Sequence, residues 1–420
     1  MLQIKPIAKR ENVIGNKRTD RNKQTDMKKI LLILFAFLFF NADIACTVYK
    51  ITMNGKTFMG NNEDYWNPHT RIWFEKGKNG NYGSSYVGFN DGYPQGGINE
   101  KGLAFDGFAV PSREIKNNLN KLTYDTTILR KVMQNCQNTD EVYTFLSKYD
   151  LSPLYAGMLL FVDQSGKYLV VEGDTMIKGN DDKYLLSNFC PSKTKDVNDV
   201  NIPMYQSGRK LMAGHVDTSL DFLKTLSDTL HQSWPGNIGG TLYTTIYDLN
   251  ERTIHLYFYH DYTKSVTFKL ADELNKKEDR VVVNIPKLFP NNTEGQDQLK
   301  RYNLTQEFFS KLKTPSFSKD SLKMAHFICI NDIEPFLPLY EGEINSLGYY
   351  QMDRKNYSCA VNIFKLNVKY HKNSSNAYDS LAEAYFKQKK FKESKEYYQK
   401  SLVLNPNNQT AIDHLKVLDK

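Results

Sequence analysis

Short apolar stretches separated by Gly, Asn and Asp fill residues 46–269, a pattern typical of β-strands joined by tight turns. Many of these stretches have apolar residues on both faces, so both faces of the predicted sheets are expected to be covered. Residues 124–149 and 207–231 instead place apolar residues three and four positions apart, which predicts two helical stretches. Strands interrupted by helices in this way predict an α+β sandwich.

A different, helical period governs the end of the chain. Pairs of residues 34 positions apart are similar in size: Leu347 and Leu381, Gly348 and Ala382, Ala360 and Ser394, Phe364 and Tyr398. This period, with small residues at helix contacts, resembles the tetratricopeptide repeat over residues 343–420. Two repeats do not bury a core alone, so the helices expected before residue 347 should stack on them.

These patterns divide the chain into four segments. Residues 1–45 are an extension and signal peptide that is removed, and residues 46–275 are the sandwich. Charged and polar residues at 276–295 predict a linker, and residues 296–420 are an all-α helical domain. The helical domain either packs on the sandwich as a stabilising element or docks a peptide or protein partner. The sequence leaves both alternatives open.

A secretory signal precedes Cys46. Met27 and the two lysines after it form a basic start, followed by an unbroken apolar run of eleven residues at positions 30–40. That run is too short for a membrane span, which needs roughly 20 residues. We therefore expect Met27 to be the true start, and cleavage by signal peptidase before Cys46. The alternative is lipidation of Cys46 as a membrane anchor, although Asp43 fits neither signal well.

Charge and cysteine content exclude several classes of protein. The formal net charge of +8 includes +5 from residues 1–45, so the mature chain carries about +3 and no nucleic-acid partner is indicated. The five cysteines form no CxxC pair, which argues against a disulfide framework and a zinc site. Cys136, Cys329 and Cys359 are expected in the core. The eight histidines have no metal-ligand spacing, and no metal or cofactor is expected.

Cleavage before Cys46 would give this residue a thiol and a free α-amine. The amine has a pKa near 8 and the thiol one near 8.5, so the amine can accept the thiol proton. A thiolate formed beside its own base can attack a carbonyl carbon. Cys46 is therefore the candidate nucleophile.

Three motifs in order carry a family resemblance. Cys46-Thr47 is followed by GNNEDYW at residues 60–66 and by GINEKGLA at residues 97–104. The order and spacing resemble the N-terminal-nucleophile cysteine hydrolases of the choloylglycine hydrolase, penicillin V acylase and isopenicillin-N acyltransferase group, over residues 46–262. The resemblance implies an αββα sandwich. It also implies hydrolysis of a linear amide C–N bond in a small molecule through a thioester, with acyl transfer as a second outcome.

The resemblance also assigns roles to individual residues. Cys46 corresponds to the nucleophile, and Asp64 to the aspartate that holds the α-amine. Asn188 corresponds to the amide that donates to the oxyanion, with a backbone N–H near Ala109 as second donor. Arg209 corresponds to an arginine near the nucleophile. Simpler interpretations remain open: Asp64 as a turn residue, Asn188 as a cap and Arg209 as a solvated side chain.

The sequence departs from the family at one position and leaves the substrate open. Asn61 stands where the family has arginine, so a cation expected beside the thiol is missing. Four aromatic residues either line an acyl pocket or belong to the core: Tyr65, Trp66, Trp73 and Phe108.

Two overall interpretations follow from the sequence. The first is a secreted or periplasmic amide hydrolase. The second is a membrane-anchored lipoprotein at the cell surface, whose sandwich is a non-catalytic scaffold and whose repeats bind a partner. A membrane partner is expected only if Cys46 is lipidated.

Overall fold

Two antiparallel sheets lie face to face in the computed structural model, which describes residues 46–214 and 216–419. The predicted signal peptide, the Met27 start and the residues before the predicted cut lie outside these ranges. No helix in the described ranges is long and apolar enough to cross a membrane.

The first sheet has six strands. In order across the sheet they are β12 (Lys183–Leu186), β1 (Thr47–Met53), β2 (Lys56–Tyr65), β13 (Gly240–Asp248), β14 (Thr253–Phe258) and β15 (Asp261–Lys269). The second sheet has eight strands: β11 (Met176–Gly179), β10 (Tyr168–Val171), β9 (Gly157–Val162), β6 (Ala104–Ala109), β5 (Pro94–Asn99), β4 (Ser84–Phe89), β3 (Thr70–Glu75) and β16 (Arg280–Asn284). A small parallel pair joins β7 (Leu122–Thr123) to β8 (Tyr149–Asp150).

The main core fills the space between the two large sheets. Val48 and Met59 of the first sheet meet Val87, Ala104 and Leu160 of the second in one buried cluster. The neighbouring positions along the same strands face outward and are also buried. This arrangement explains why the strands are apolar on both faces.

Helices cover the outer face of each sheet. Helices α1 (Ile128–Asn135) and α2 (Thr139–Leu146) pack on the eight-stranded sheet, and α3 (Pro203–Ala213) and α4 (Leu220–Leu230) pack on the six-stranded sheet. The predicted α+β class and αββα order are therefore confirmed.

Each predicted helical stretch is in fact two helices. The Asn138 side chain accepts a hydrogen bond from the backbone N–H of Glu141 and caps α2. Ser219 accepts from Phe222 and caps α4 in the same way. The 3.6-residue apolar period continues across both breaks, which is why the sequence pattern alone joined the helices.

Residues 276–295, predicted to be a linker, contain a strand of the eight-stranded sheet, so the prediction of a linker is wrong for this strand. β16 pairs antiparallel with β3 and forms the edge of the eight-stranded sheet. Val281 and Val283 pack against the main core, while Val282 faces outward and is 45% exposed. This alternation is the ordinary pattern of an edge strand.

Helices make up the rest of the described chain. They are α5 (Leu270–Leu274), α6 (Ile285–Leu288), α7 (Thr293–Leu312), α8 (Pro315–Ser318), α9 (Ser321–Ile330), α10 (Glu341–Asp353), α11 (Tyr357–Tyr370), α12 (Ser375–Lys387), α13 (Phe391–Leu404) and α14 (Gln409–Leu418). A 3₁₀ helix spans Glu334–Leu339. We call residues 285–419 the helical segment. Its early helices share a buried cluster with α10 and α11, so the stacking expected from the sequence is present.

The five cysteines are unpaired. Cys136 and Cys359 are buried as expected, but Cys329 is exposed, and its assignment to the core is wrong. Met324 and Ile328 face the core from the same helix, α9, and Cys329 lies on its solvent side.

Candidate active site

Cys46 lies directly before β1, where three strands of the six-stranded sheet converge. Its side chain belongs to the core between the sheets and is 8% exposed. The sulfur is 3.9 Å from the backbone carbonyl oxygen of Asp64 in β2. Ser187, at the end of β12, donates its hydroxyl to the Cys46 carbonyl oxygen at 2.9 Å. The antiparallel pairing of β1 with β2 and β12 therefore brings the expected nucleophile and aspartate together.

Asp64 is buried in this site, and neutral side chains donate hydrogen bonds to its carboxylate. One carboxylate oxygen accepts from the Thr241 hydroxyl, and the other accepts from the Gln232 amide at 3.0 Å. Burial raises the pKa of Asp64 well above its ordinary value, and hydrogen bonding from Thr241 partly opposes that rise. A register shift in β13 next to Thr241 places this hydroxyl against the carboxylate.

Asn188 and Ala109 also come together. The Asn188 amide donates to the Ala109 carbonyl oxygen at 2.7 Å. This contact involves the Ala109 carbonyl group, whereas the sequence resemblance assigned a role to a backbone N–H near Ala109. Asn188 directly follows Ser187, which binds the Cys46 carbonyl, and the two sheets meet at this point. A second N–H of the same Asn188 amide remains for another acceptor.

Arg209 is not brought to Cys46. It lies in the middle of α3, which begins at Pro203, whereas the sequence pattern placed it near the start of a helix. Its guanidinium donates to Asn198 at 2.9 Å and to Gln206 at 3.0 Å. These partners belong to the neighbouring loop and to the same helix, so the contacts of Arg209 are local ones.

Two buried carboxyl groups that the sequence motifs did not indicate lie beside the thiol. Glu63 of β2 is 5% exposed and Asp106 of β6 is fully buried, and both face the core between the sheets. Asn61 donates its amide to Asp106. A side chain at Gly96 would intrude here, since its Cβ would lie 2.5 Å from an Asp106 oxygen. The signal that could have identified Asp106 is a single acidic residue in the otherwise apolar strand β6.

Burial is the largest cause of the raised pKa values in this group, and the charge of Glu63 adds to the rise at Asp106 and Asp64. Burial raises the pKa of Glu63 to about 8, and the nearby polar groups of Tyr243 and Asn61 partly oppose the rise. Burial, followed by the charge of Glu63, raises the pKa of Asp106. Burial, followed by the charges of Glu63 and Asp64, raises the pKa of the Cys46 thiol. In the uncleaved chain the thiolate is therefore disfavoured.

Gln232 and Thr241 were missed because they lie far from Asp64 in the sequence. They are 168 and 177 positions away, and only the pairing of β2 with β13 brings them close. Neither residue belongs to a recognisable motif. Folded contacts alone identify them.

The four aromatic residues divide into two groups. Trp73 is buried under α1 and α2, and Phe108 is buried between the sheets. Tyr65 and Trp66 are half-buried and stack on each other with ring centroids 4.0 Å apart. They follow Asp64 directly in the chain, and Trp66 packs against a buried cluster of the helical segment.

Among the described residues, no group of three or more His, Cys, Asp or Glu side chains has an arrangement that holds a metal ion. A sequence profile of the acyl-coenzyme A:6-aminopenicillanic acid acyl-transferase family matches residues 52–261, which is half of the chain. The chain belongs to this family. A tetratricopeptide repeat profile matches residues 375–408, which span α12 and α13. Both resemblances seen in the sequence are confirmed.

Solved structures similar to this acyl-transferase family member fall in two groups. A variant of conjugated bile acid hydrolase from Clostridium perfringens is 17% identical with a TM-score of 0.46, over 57% of this chain and 97% of that chain. Penicillin V acylase from Agrobacterium tumefaciens is 14% identical with a TM-score of 0.44, over 57% and 91%. The first tetratricopeptide domain of Spaghetti is 21% identical with a TM-score of 0.21, over 29% and 90%. No curated protein matches the chain.

Proposed function

We propose that this protein hydrolyses a linear amide bond through a thioester on Cys46 after the residues before Cys46 are removed. Membership of the acyl-transferase family supports amide and acyl chemistry. The observation that carries the proposal is the convergence of Cys46, Asp64 and Asn188 at the ends of β1, β2 and β12. A nucleophile, a carboxylate and an amide donor within one site are the groups that acyl transfer needs.

The proposed reaction begins with the α-amine of mature Cys46. The amine takes the thiol proton, and the thiolate attacks the carbonyl carbon of the substrate amide. The Asn188 amide donates to the negative oxygen that develops. The protonated amine then gives its proton to the leaving nitrogen, and the C–N bond breaks to leave a thioester. Water attacks the thioester and releases the acid and the free thiol.

Removal of the preceding residues supplies the positive charge that this site otherwise lacks. Glu63, Asp64 and Asp106 all raise the pKa of the Cys46 thiol while Cys46 is joined to the residue before it. An α-ammonium group formed there would pair with Asp64 and favour the thiolate. The uncleaved chain is therefore expected to be inactive. When an amine competes with water for the thioester, the same site becomes an acyltransferase.

Secretion of the mature protein belongs to the same proposal. If Cys46 were lipidated, both the amine and the thiol would be blocked, and the chain would be a surface protein with a non-catalytic sandwich. The tetratricopeptide repeat match at residues 375–408 supports a peptide or protein partner in that case. The intact mass of the exported protein distinguishes the two: a chain that begins at unmodified Cys46 supports the enzyme, and added acyl mass refutes it.

Two substitutions test the catalytic assignment on a panel of N-acyl amino acids, β-lactams and conjugated bile acids. Cys46→Ser should abolish most turnover while binding persists. Asn188→Ala should lower kcat by about 10²–10³-fold, as for other oxyanion donors. Cys329→Ser is the matched control, because Cys329 is exposed in α9, and it should keep full activity. Full activity of the Cys46 and Asn188 variants would refute the assignment.

A further inference from the structure

We propose that Arg301 of the helical segment is a positioning residue for Asp64, acting through the loop at residues 232–239. This inference rests on the proposed function, because it gives Asp64 a role in catalysis. The contacts form a continuous path from α7 to the carboxylate. Each step of the path is a hydrogen bond or ring contact between described residues.

The first step joins Asp64 to the start of the loop. Gln232 is 7% exposed and donates its amide to Asp64 at 3.0 Å. The side-chain amide oxygen of Gln232 accepts from the Trp234 indole N–H at 3.0 Å. The indole therefore fixes which way the Gln232 amide faces, since rotation of that amide would break both bonds.

The second step is the loop itself, a tight turn closed on Trp234. The backbone N–H of Trp234 donates to the Gly239 carbonyl at 3.2 Å, and the backbone N–H of Asn237 donates to the Trp234 carbonyl at 3.1 Å. A Cβ at position 239 would lie 2.5 Å from the Trp234 ring, so the ring packs closely against the Gly239 backbone. Movement of Gly236 at the tip is therefore transmitted to the indole.

The third step attaches the tip of the loop to the helical segment. The Arg301 guanidinium donates to the Gly236 carbonyl at 2.7 Å and to the Asp332 carbonyl at 3.0 Å. The central carbon of the guanidinium lies 5.2 Å from the Phe336 ring centroid, and the Arg301 residue is 7% exposed. A planar group with five donors can hold two carbonyls at once, which a lysine cannot do in this fixed geometry.

The same helix also binds the chain just after Asp64. Gln298 of α7 donates to the Trp66 carbonyl at 2.9 Å, two residues after Asp64. The Trp66 and Trp234 rings lie 6.5 Å apart, and Trp66 and Ile238 pack against the core of the helical segment. Helix α7 thus contacts two segments next to Asp64 and its partners. One is the chain just after β2, and the other is the loop just before β13.

The test compares four variants of the mature chain, which begins at Cys46, with the mature parent: Arg301→Ala, Gln232→Ala, the double variant, and Arg354→Ala as matched control. Arg354 is an exposed arginine of the same segment that contacts its own helix at Tyr350. Arg301→Ala should lower kcat/KM by about tenfold, a typical size for coupling between sites. The Gln232 hydrogen bond lowers the pKa of Asp64, so its loss should move the acid limb of the pH profile to higher pH. Arg354→Ala should change neither quantity.

The double variant decides whether the effect passes through Gln232. If it does, Arg301→Ala adds nothing to Gln232→Ala, in kcat/KM or in the acid limb. Additive losses, or a loss without a shifted acid limb, overturn the proposal. Hydrogen exchange provides a readout independent of turnover: Arg301→Ala should speed exchange at residues 232–240 and at the end of β2. If the parent is inactive on every substrate, the proposed function fails, and unchanged exchange at β2 separately overturns the positioning role.

Discussion

At the scale of single residues, Glu63 and Asp106 are acidic side chains in the apolar layer between the sheets. Burial is the largest cause of the raised pKa of both residues. Neighbouring polar groups lower the two pKa values in part, and the charge of Glu63 raises that of Asp106 further. Each keeps one buried oxygen without a hydrogen-bond partner among the described residues. Burial of an ionised carboxylate is costly, so this layer favours the protonated acids.

Stability should therefore fall as pH rises. The folded pKa of Glu63 is about 8, above its ordinary 4.5, so its stabilising contribution is full below 4.5 and is lost between 4.5 and 8. We expect the free energy of unfolding in denaturant to fall between pH 5 and pH 8. The fall should be larger for the Cys46→Ala chain than for the chain with both Cys46→Ala and Glu63→Gln. Cys46→Ala keeps the thiol and its chemistry out of the measurement.

Glu100→Gln is the control for that comparison, because Glu100 is an exposed glutamate in a turn. It should leave the pH dependence as it is in the parent. If Glu63→Gln also leaves it unchanged, Glu63 does not titrate in the folded state in this range.

The sequence indicated the site residues that belong to local motifs and missed those that depend on pairing. Cys46, Asp64 and Asn188 follow a motif or end a predicted strand, and the structure brings them together. Gln232 reaches Asp64 only because β2 and β13 are neighbours. Arg209 had no such constraint, and its contacts are local.

At the scale of elements, the helix pair α10 and α11 depends on one close approach. A Cβ at Gly348 would lie 2.2 Å from the Phe364 ring, so the ring occupies the space that a side chain would need. The repeat pattern has small residues at this position and at Ala382. The 34-residue period therefore reflects the packing of each helix on the next.

Phe364→Ala should destabilise this pair strongly. Phe364 is fully buried, and a Phe→Ala change in a core costs about 3–5 kcal/mol because it leaves a cavity. Phe391→Ala is the matched control: Phe391 is 50% exposed, and its loss should cost less than about 1.5 kcal/mol. Both are measured as the free energy of unfolding in denaturant. Equal costs would mean that the buried ring does not hold the repeats together.

Elements with strong local patterns were predictable, and their boundaries and partners were not. Apolar stretches predicted the central strands because burial on both faces places apolar residues on both sides of each strand. β16 was taken as linker because its flanking residues, 276–280, are charged and its partner β3 lies about 200 positions earlier. The breaks within the helical stretches depend on caps such as Asn138, which the apolar period does not register.

At the scale of the whole molecule, the sandwich and the helical segment share apolar surface. Trp66 and Ile238 come from the sandwich but pack on the cluster formed by Phe308, Phe336 and their neighbours. Arg301 and Gln298 add hydrogen bonds across the same contact. The sandwich is therefore not expected to be stable without its helices.

Removal of residues 293–420 should lower Tm and cause self-association, because Trp66 and Ile238 would then face water. Removal of residues 405–420 is the milder control, since α14 has one fully buried residue, Ala411. Size-exclusion chromatography and thermal unfolding distinguish the two. A monomeric short chain with the Tm of the parent would contradict the shared-surface interpretation.

The position of β16 also has a consequence for engineering. This strand follows the charged stretch where a domain border would naturally be drawn, yet it completes the sheet beside β3. A chimaera that joined another protein's repeats at residue 276 would leave β3 as an open edge, ready to pair with a second molecule. Grafts should therefore keep the native chain through Asn284, so that the donor sequence begins only where the last strand ends.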